Sequence, residues 1–232
     1  MTYRQLTKQE YSDLASRILY EDNHLLIVNK KNGEIVQGDK TGDECLADAY
    51  KAFIAMRDSK PGQVFIGIPH RLDRPVSGIC ILAKTSKALG RLGTIFREGG
   101  AHKRYWALCI NMPDPAEGLL EDWLIKNEPK NKSYITTERP GAKLARLKYR
   151  YLQSTANYHL IEVELLTGRH HQIRCQLSHL GCPIKGDLKY GAPRSNPDGG
   201  ICLHAHEISF EHPVKHTEIH IIAPPPASWP GL

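Results

Sequence analysis

The chain has 232 residues, 41% hydrophobic and 24% charged, which suits one soluble domain over 1–232 with a sizeable core. No apolar run reaches the roughly 18 residues a membrane span needs, and Met1 to Glu10 has no signal-peptide core, so a cytoplasmic protein without membrane contact is expected. The net charge of +6 falls short of a balance that by itself marks a nucleic-acid binder.

Thr7 to Glu10 fits a capping box, and Leu14 and Ile18 continue an apolar stripe, predicting a short first helix. Leu25 to Val28, closed by Asn32-Gly33, reads as a strand and turn. Leu46, Ala49, Tyr50, Phe53 and Met56 give helical spacing through Glu44 to Arg57. Val64-Phe65-Ile66 reads as a strand leading into His70-Arg71-Leu72-Asp73-Arg74-Pro75-Val76-Ser77-Gly78, and Gly78 to Lys84 as the next strand. Ser86 is placed as the cap of a helix with Leu89, Leu92 and Phe96 on one face and Gly99-Gly100 at its end. Gly90 and Gly93 weaken that helix by roughly 1 kcal/mol each relative to alanine, which predicts close backbone packing there.

Segments 102–110, 118–126, 144–152 and 158–166 read as strands; in the last, Leu160, Val163 and Leu165 break strict alternation, so both faces are expected to be covered. Ile173, Leu177 and Leu180 mark a helix stopped by Gly181 and Pro183, and strands around 203–210 and 217–222 precede a Pro-rich tail. Strands outnumber helices and tight connections join many of them. The fold class is therefore α+β, one domain with a mixed, mostly antiparallel central sheet and flanking helices. A monomer is expected because no apolar surface stripe is left unassigned.

The stretch around Asp73 carries the chemistry. It sets one carboxylate between Arg71 and Arg74, and a neighbouring cation favours the ionised form, which can serve as nucleophile or base without a metal. Taken alone, the pattern also fits an ordinary loop salt bridge. Lys84, Lys87, Arg91, Arg97, Lys103 and Arg104 follow within twenty-one residues, and beside such a loop they read as phosphate contacts. Lys143, Arg146, Lys148 and Arg150 form a second cluster. The six cysteines have no Cys-x-x-Cys spacing and several fall in apolar segments, predicting buried reduced thiols. The twelve histidines include no His-Glu-x-x-His or comparable ligand set, so no metal is expected, and no dinucleotide or phosphate-loop fingerprint implies a cofactor.

The string from His70 to Gly78, with its apolar strand ending Ala83-Lys84, resembles the signature of the RluA-type pseudouridine synthases. Leu166-Thr167-Gly168-Arg169-His170-His171-Gln172-Ile173-Arg174 and Lys103-Arg104-Tyr105-Trp106-Ala107 resemble two further segments of that family. So do Gly186-Asp187-Leu188-Lys189-Tyr190-Gly191 and Leu203-His204-Ala205, to which scaffolding roles are assigned. The resemblance covers about 18–222. It implies the pseudouridine synthase fold with an RNA-binding cleft across the sheet, catalysis by Asp73, and Arg169 pairing with Asp73. It also implies Tyr105 against the target uracil and Arg71 in the space an extruded base vacates. Val76 stands where many members have Thr, Lys31 replaces a usual proline, and the small N-terminal RNA-binding module of many relatives is not seen.

The expected activity is isomerisation of uridines in structured RNA, a stem-loop of rRNA or tRNA, with no cofactor. The initiating step of Asp73 stays open among attack on the base, attack on the anomeric carbon and abstraction of a sugar proton. A catalytically silent RNA-binding or RNA-folding module on the same fold is the alternative, and a hydrolase pairing Asp73 with a histidine is a third reading.

Overall fold

The computed structural model describes residues 3–38, 42–59 and 62–231. In chain order the elements are α1 (Lys8–Ser16), β1 (Ile18–Glu21), β2 (Leu25–Lys30), α2 (Leu46–Arg57), β3 (Ser77–Ala83) and α3 (Ser86–Arg97). There follow β4 (Ala101–Cys109), β5 (Glu117–Asn127), β6 (Lys132–Thr136), β7 (Lys143–Ser154), β8 (His159–Leu165), α4 (Gln172–His179), β9 (Leu203–Glu211) and β10 (Glu218–Ile222). The Thr7–Glu10 capping box forms, with the Glu10 N–H donating to Thr7 Oγ1 at 3.2 Å.

Among the described residues ten strands join in one sheet, ordered β1-β2-β3-β9-β4-β8-β7-β5-β6, with β10 also on β9. Every pairing is antiparallel except β3 with β9, so the expected mixed α+β architecture is what the chain adopts. Leu25 to Val28 on β2 and Cys80 to Ala83 on β3 are wholly buried, and each such large aliphatic contributes roughly 1.5–3 kcal/mol. On β8, Leu160, Ile161 and Val163 are all buried, which covers both faces there.

The β3–β9 junction positions the site. The two strands pair only at Ser77↔His204 and Gly78↔Ala205, and β10 takes the same edge of β9 from Glu207 onward. Gly78 has φ +113°, and a Cβ there would lie 2.4 Å from the Ala205 carbonyl oxygen, so only glycine lets the strands meet. Beside it the buried His204 donates from Nε2 to the Ala223 carbonyl (3.2 Å) and accepts at Nδ1 from the Ser77 hydroxyl (2.8 Å). The loop before β3 is thus held against the start of β9 and the middle of β4, and Val76, Leu203 and Tyr105 line one cavity.

Several local expectations are corrected. Ile18 belongs to β1, because α1 stops at Ser16 with Arg17 as its C-cap. Val64 to Ile66 is not a strand; only Gly67 bridges to Ala83. The cap of α3 is Thr85, whose hydroxyl accepts from the Ala88 N–H, and Ser86 is the first helical residue. Gly90 and Gly93 have nothing within 4 Å of a hypothetical Cβ, so close packing does not explain them. β6 is a strand beyond those the sequence predicts, since its residues, Lys-Ser-Tyr-Ile-Thr, carry a short and weak apolar pattern.

Candidate active site

Asp73 sits in a turn closed by the Val76 N–H donating to its carbonyl (3.0 Å), and the strand ladder alone does not hold that turn. Lys30, only 1% exposed, ends β2 beneath it. Its ammonium donates to the carbonyls of Val76 (2.6 Å), Lys31 (2.9 Å), Arg74 (3.2 Å) and Asp73 (3.4 Å). Burial lowers its pKa to about 8, yet those carbonyl dipoles give the charge a solvation shell. His70 anchors the other end, its Nε2 accepting from the Ile81 N–H at 2.8 Å. An acceptor nitrogen requires neutral imidazole, in accord with burial pushing this pKa down to about 3.

The Asp73 side chain, 30% exposed, receives one guanidinium nitrogen of Arg174: Nη1 lies 3.1 Å from Oδ2. Arg174 projects from α4 and is buried, with Nε and Nη2 donating to Asp187 at 2.6 and 2.8 Å. This bidentate pair fixes the fork and leaves Nη1 for Asp73. The resemblance placed Arg169 in that role, and the structure corrects it. Arg169 lies three residues before α4, is exposed, and donates from Nε to the Leu144 carbonyl at 2.9 Å. The second motif holds two arginines, and the one beside Ile173 and Leu177 on the buried helix reaches the carboxylate. That position is the signal in the sequence: a cation flanking an apolar helical face needs an acid partner inside.

His171 adds a second contact, with Nε2 3.4 Å from Asp73 Oδ2. It is the N-cap of α4 with φ 52°, a left-handed conformation uncommon outside glycine, at a site where such strain often accompanies function. Its Nδ1 meets the Tyr190 hydroxyl at 3.0 Å, and that hydroxyl accepts from the Ser133 N–H at 2.8 Å. The Tyr190 hydroxyl has one proton for two acceptors, His171 Nδ1 at 3.0 Å and the Ser133 carbonyl at 3.3 Å; given to Nδ1, it leaves the proton of neutral His171 on Nε2, facing Asp73. The opposite tautomer would turn a lone pair on the carboxylate. Burial and Arg174 hold His171 neutral, with a pKa near 2. Asp187 and Tyr190 thus give the Gly-Asp-x-x-Tyr-Gly stretch its role: one orients Arg174 and the other orients His171.

Asp73 opens onto a cavity of about 720 Å³, within the range of small-ligand sites. Tyr105 on β4 lines it, and burial together with the charge of Asp73 keeps its phenol protonated, with its pKa above the usual value. Arg71 also lines it, exposed and with no hydrogen bond or ion pair among the described residues. The structure therefore brings Asp73, Tyr105, Arg71 and Arg169 to one cavity, with Arg169 bonded to the Leu144 carbonyl and not to Asp73, and it adds Arg174 and His171 to the lining and Lys30 beneath the Asp73 turn.

The basic clusters divide. Lys103 and Arg97 line the cavity, whereas Lys84 pairs with Glu21 (2.6 Å), Arg91 donates to the Pro213 carbonyl (2.7 Å) and Arg104 pairs with Glu207 (3.2 Å). Arg146, Lys148 and Arg150 on β7 face Glu121, Glu164 and Glu162 on neighbouring strands and pair with them. All six cysteines are free and buried. His206, stacked on Trp106 at 3.7 Å, shares the Ala223 carbonyl with His204.

Comparison with known proteins gives the family. The profile of the RNA pseudouridylate synthase family matches residues 24–179. The chain is 34% identical over 219 residues to the ribosomal large subunit pseudouridine synthase C of Vibrio cholerae, covering 92% of this chain and 67% of that protein. It is also 34% identical over 220 residues to an uncharacterised RNA pseudouridine synthase of Synechocystis, covering 93% and 67%. The solved structure of human RNA pseudouridylate synthase domain containing 4 superposes with a TM-score of 0.79 at 25% identity, covering 96% of this chain and 94% of that one. The chain belongs to the RluA-type RNA pseudouridylate synthases, isomerases that act on RNA.

Proposed function

We propose that Asp73 is the catalytic carboxylate and that the substrate is a uridine of large-subunit ribosomal RNA, extruded into the cavity. The observation that carries the reading is the partly exposed Asp73 carboxylate on the cavity wall, with one oxygen held by Arg174 and approached by His171. The relatives' names point to the large ribosomal subunit as the target.

Isomerisation breaks the bond from the anomeric carbon to N1 and forms one to C5; C5 gives up a proton and N1 gains one. Asp73, oriented through Oδ2, keeps its other oxygen for the reacting nucleotide and can accept a proton or form a covalent bond. Tyr105, kept protonated, offers a ring face to the uracil; such stacking supplies roughly 1–3 kcal/mol per base, against the few kcal/mol of unstacking. Arg71, free and exposed, fills the place the base leaves. Arg174 acts on the reaction by holding Asp73.

Monomeric action in the cytoplasm is part of the same reading. Six free buried thiols suit a reducing compartment, and the large exposed apolar side chains, such as Met56, Met112 and Leu188, are spread over separate elements. Among the described residues no helix is long and apolar enough to cross a membrane.

The test is tritium release from an unmodified large-subunit rRNA transcript carrying [5-³H]uridine, since pseudouridine formation expels the C5 hydrogen. Wild type should release tritium, and Asp73→Asn should bind the transcript without release. Release from tRNA alone would refute the ribosomal target. Binding without release by wild type would favour the silent RNA-binding module.

A further inference from the structure

We propose that the Lys103 ammonium binds a backbone phosphate of the substrate strand, beside the nucleotide whose base meets Tyr105. The proposal rests on the RNA-modifying reading of the cavity and adds a phosphate subsite to it. Lys103 and Tyr105 lie two residues apart on β4, hence on one face and about 7 Å apart along the strand. Both line the cavity.

Lys103 is half-buried, and burial alone lowers the proton affinity of its ammonium. It makes no hydrogen bond and no ion pair among the described residues. Its contact is the Phe96 ring, 5.5 Å from Nζ, against which His70 also packs at 4.8 Å. A cation over an aromatic ring recovers only part of what removing an ammonium from water costs.

Among the described residues two acids line the cavity, and both are engaged elsewhere: Asp73 with Arg174 and His171, and Glu164 with Lys148. A lysine with a purely structural role would pair with an acid or extend its head into water. A uracil carbonyl is neutral and offers only an ordinary hydrogen bond, whereas a phosphate oxygen offers a charge-assisted one. Phosphate is also the anion that every RNA substrate brings. The neighbouring Arg71 and Arg97 are exposed and keep their hydration, so Lys103 gains most from an incoming anion.

The experiment is equilibrium binding of an unmodified large-subunit rRNA transcript to wild type, Lys103→Met and Lys103→Arg, from about 50 to 200 mM KCl. Methionine keeps the apolar stem, and thermal melting confirms that the variant is folded. Lys103→Met should bind more weakly, and its slope of log K against log salt should be shallower by about 0.7, the value of one single-strand phosphate contact. Lys103→Arg should restore the wild-type slope. A Lys103→Met slope equal to wild type overturns the proposal even if affinity falls, as does a Lys103→Arg slope equal to that of Lys103→Met. Tritium release by wild type on the same transcript reports the synthase reading separately, so one can fail while the other stands.

Discussion

The floor and the rim of the cavity are built on opposite electrostatic plans. On the floor each charge has a partner: Asp187 grips Arg174, Arg174 reaches Asp73, and neutral His171 closes the set. Around the rim Arg71, Arg97 and Lys103 have no acid partner among the described residues, and Arg169 has only a carbonyl. A carboxylate that must react in one geometry needs its neighbours fixed before substrate arrives. A surface that meets a polyanion gains by leaving its cations uncompensated. The difference separates the residues that shape the chemistry from those that shape RNA affinity, and substitutions on the two sides should fail differently.

The largest effect is expected on the floor, at Arg174. Arg174→Met leaves Asp187, 1% exposed, as a buried carboxylate without its cation, a loss of roughly 3–5 kcal/mol. Urea unfolding should show that drop, and the surviving folded fraction should not release tritium from rRNA. The double variant Arg174→Met, Asp187→Leu removes both charges and should recover much of the stability while staying inactive. Equal stability of wild type and Arg174→Met would mean that the floor is not pre-organised by this pair.

Acid should strike the floor and the strand junction that supports it before the rim. His70, His171 and His204 are held neutral, with pKa values near 3, 2 and 4 against an ordinary 6.5. Below about pH 6.5 the unfolded chain binds protons that the folded chain refuses, so stability is full above that pH and falls as pH falls. Each such histidine costs up to roughly 1.4 kcal/mol per pH unit, so the three together should remove roughly 3–4 kcal/mol between pH 6 and pH 5. Urea midpoints at pH 7.5, 6 and 5 measure this. An unchanged midpoint from pH 6 to 5 would show that these rings are charged in the folded protein.

How much of this was legible in the sequence follows the same division. The strands around Leu25, Gly78 and Leu160 were readable because burial writes itself as apolar runs, and the Asp73 string carried its own signature. The contacts across the floor were not readable. Which of two arginines meets Asp73 depends on where α4 begins, and that start is set by His171 in a left-handed conformation that no spacing rule predicts. Lys30 was invisible for a related reason. In sequence it is one of two adjacent lysines beside a turn, and only the fold shows it buried beneath four carbonyls. Local pattern records which residues are buried; it does not record what a buried polar group points at.

The smallest effect is expected at the residue the motif alone would have made central. Arg169→Gln removes an exposed side chain whose one hydrogen bond among the described residues is to the Leu144 carbonyl, so stability should change by no more than about 0.5 kcal/mol. The backbone contact that shapes its loop, Arg169 N–H donating to Gln172 Oε1 at 3.0 Å, survives the substitution. Gln172 remains tied to Thr167 and to the Arg146 carbonyl, so α4 and Arg174 keep their places. Tritium release at saturating RNA should therefore stay within a few-fold of wild type, with any loss appearing as weaker binding at high salt. A loss as complete as that of Asp73→Asn would place Arg169 on the floor during turnover, which would require its loop to leave Leu144 when RNA binds.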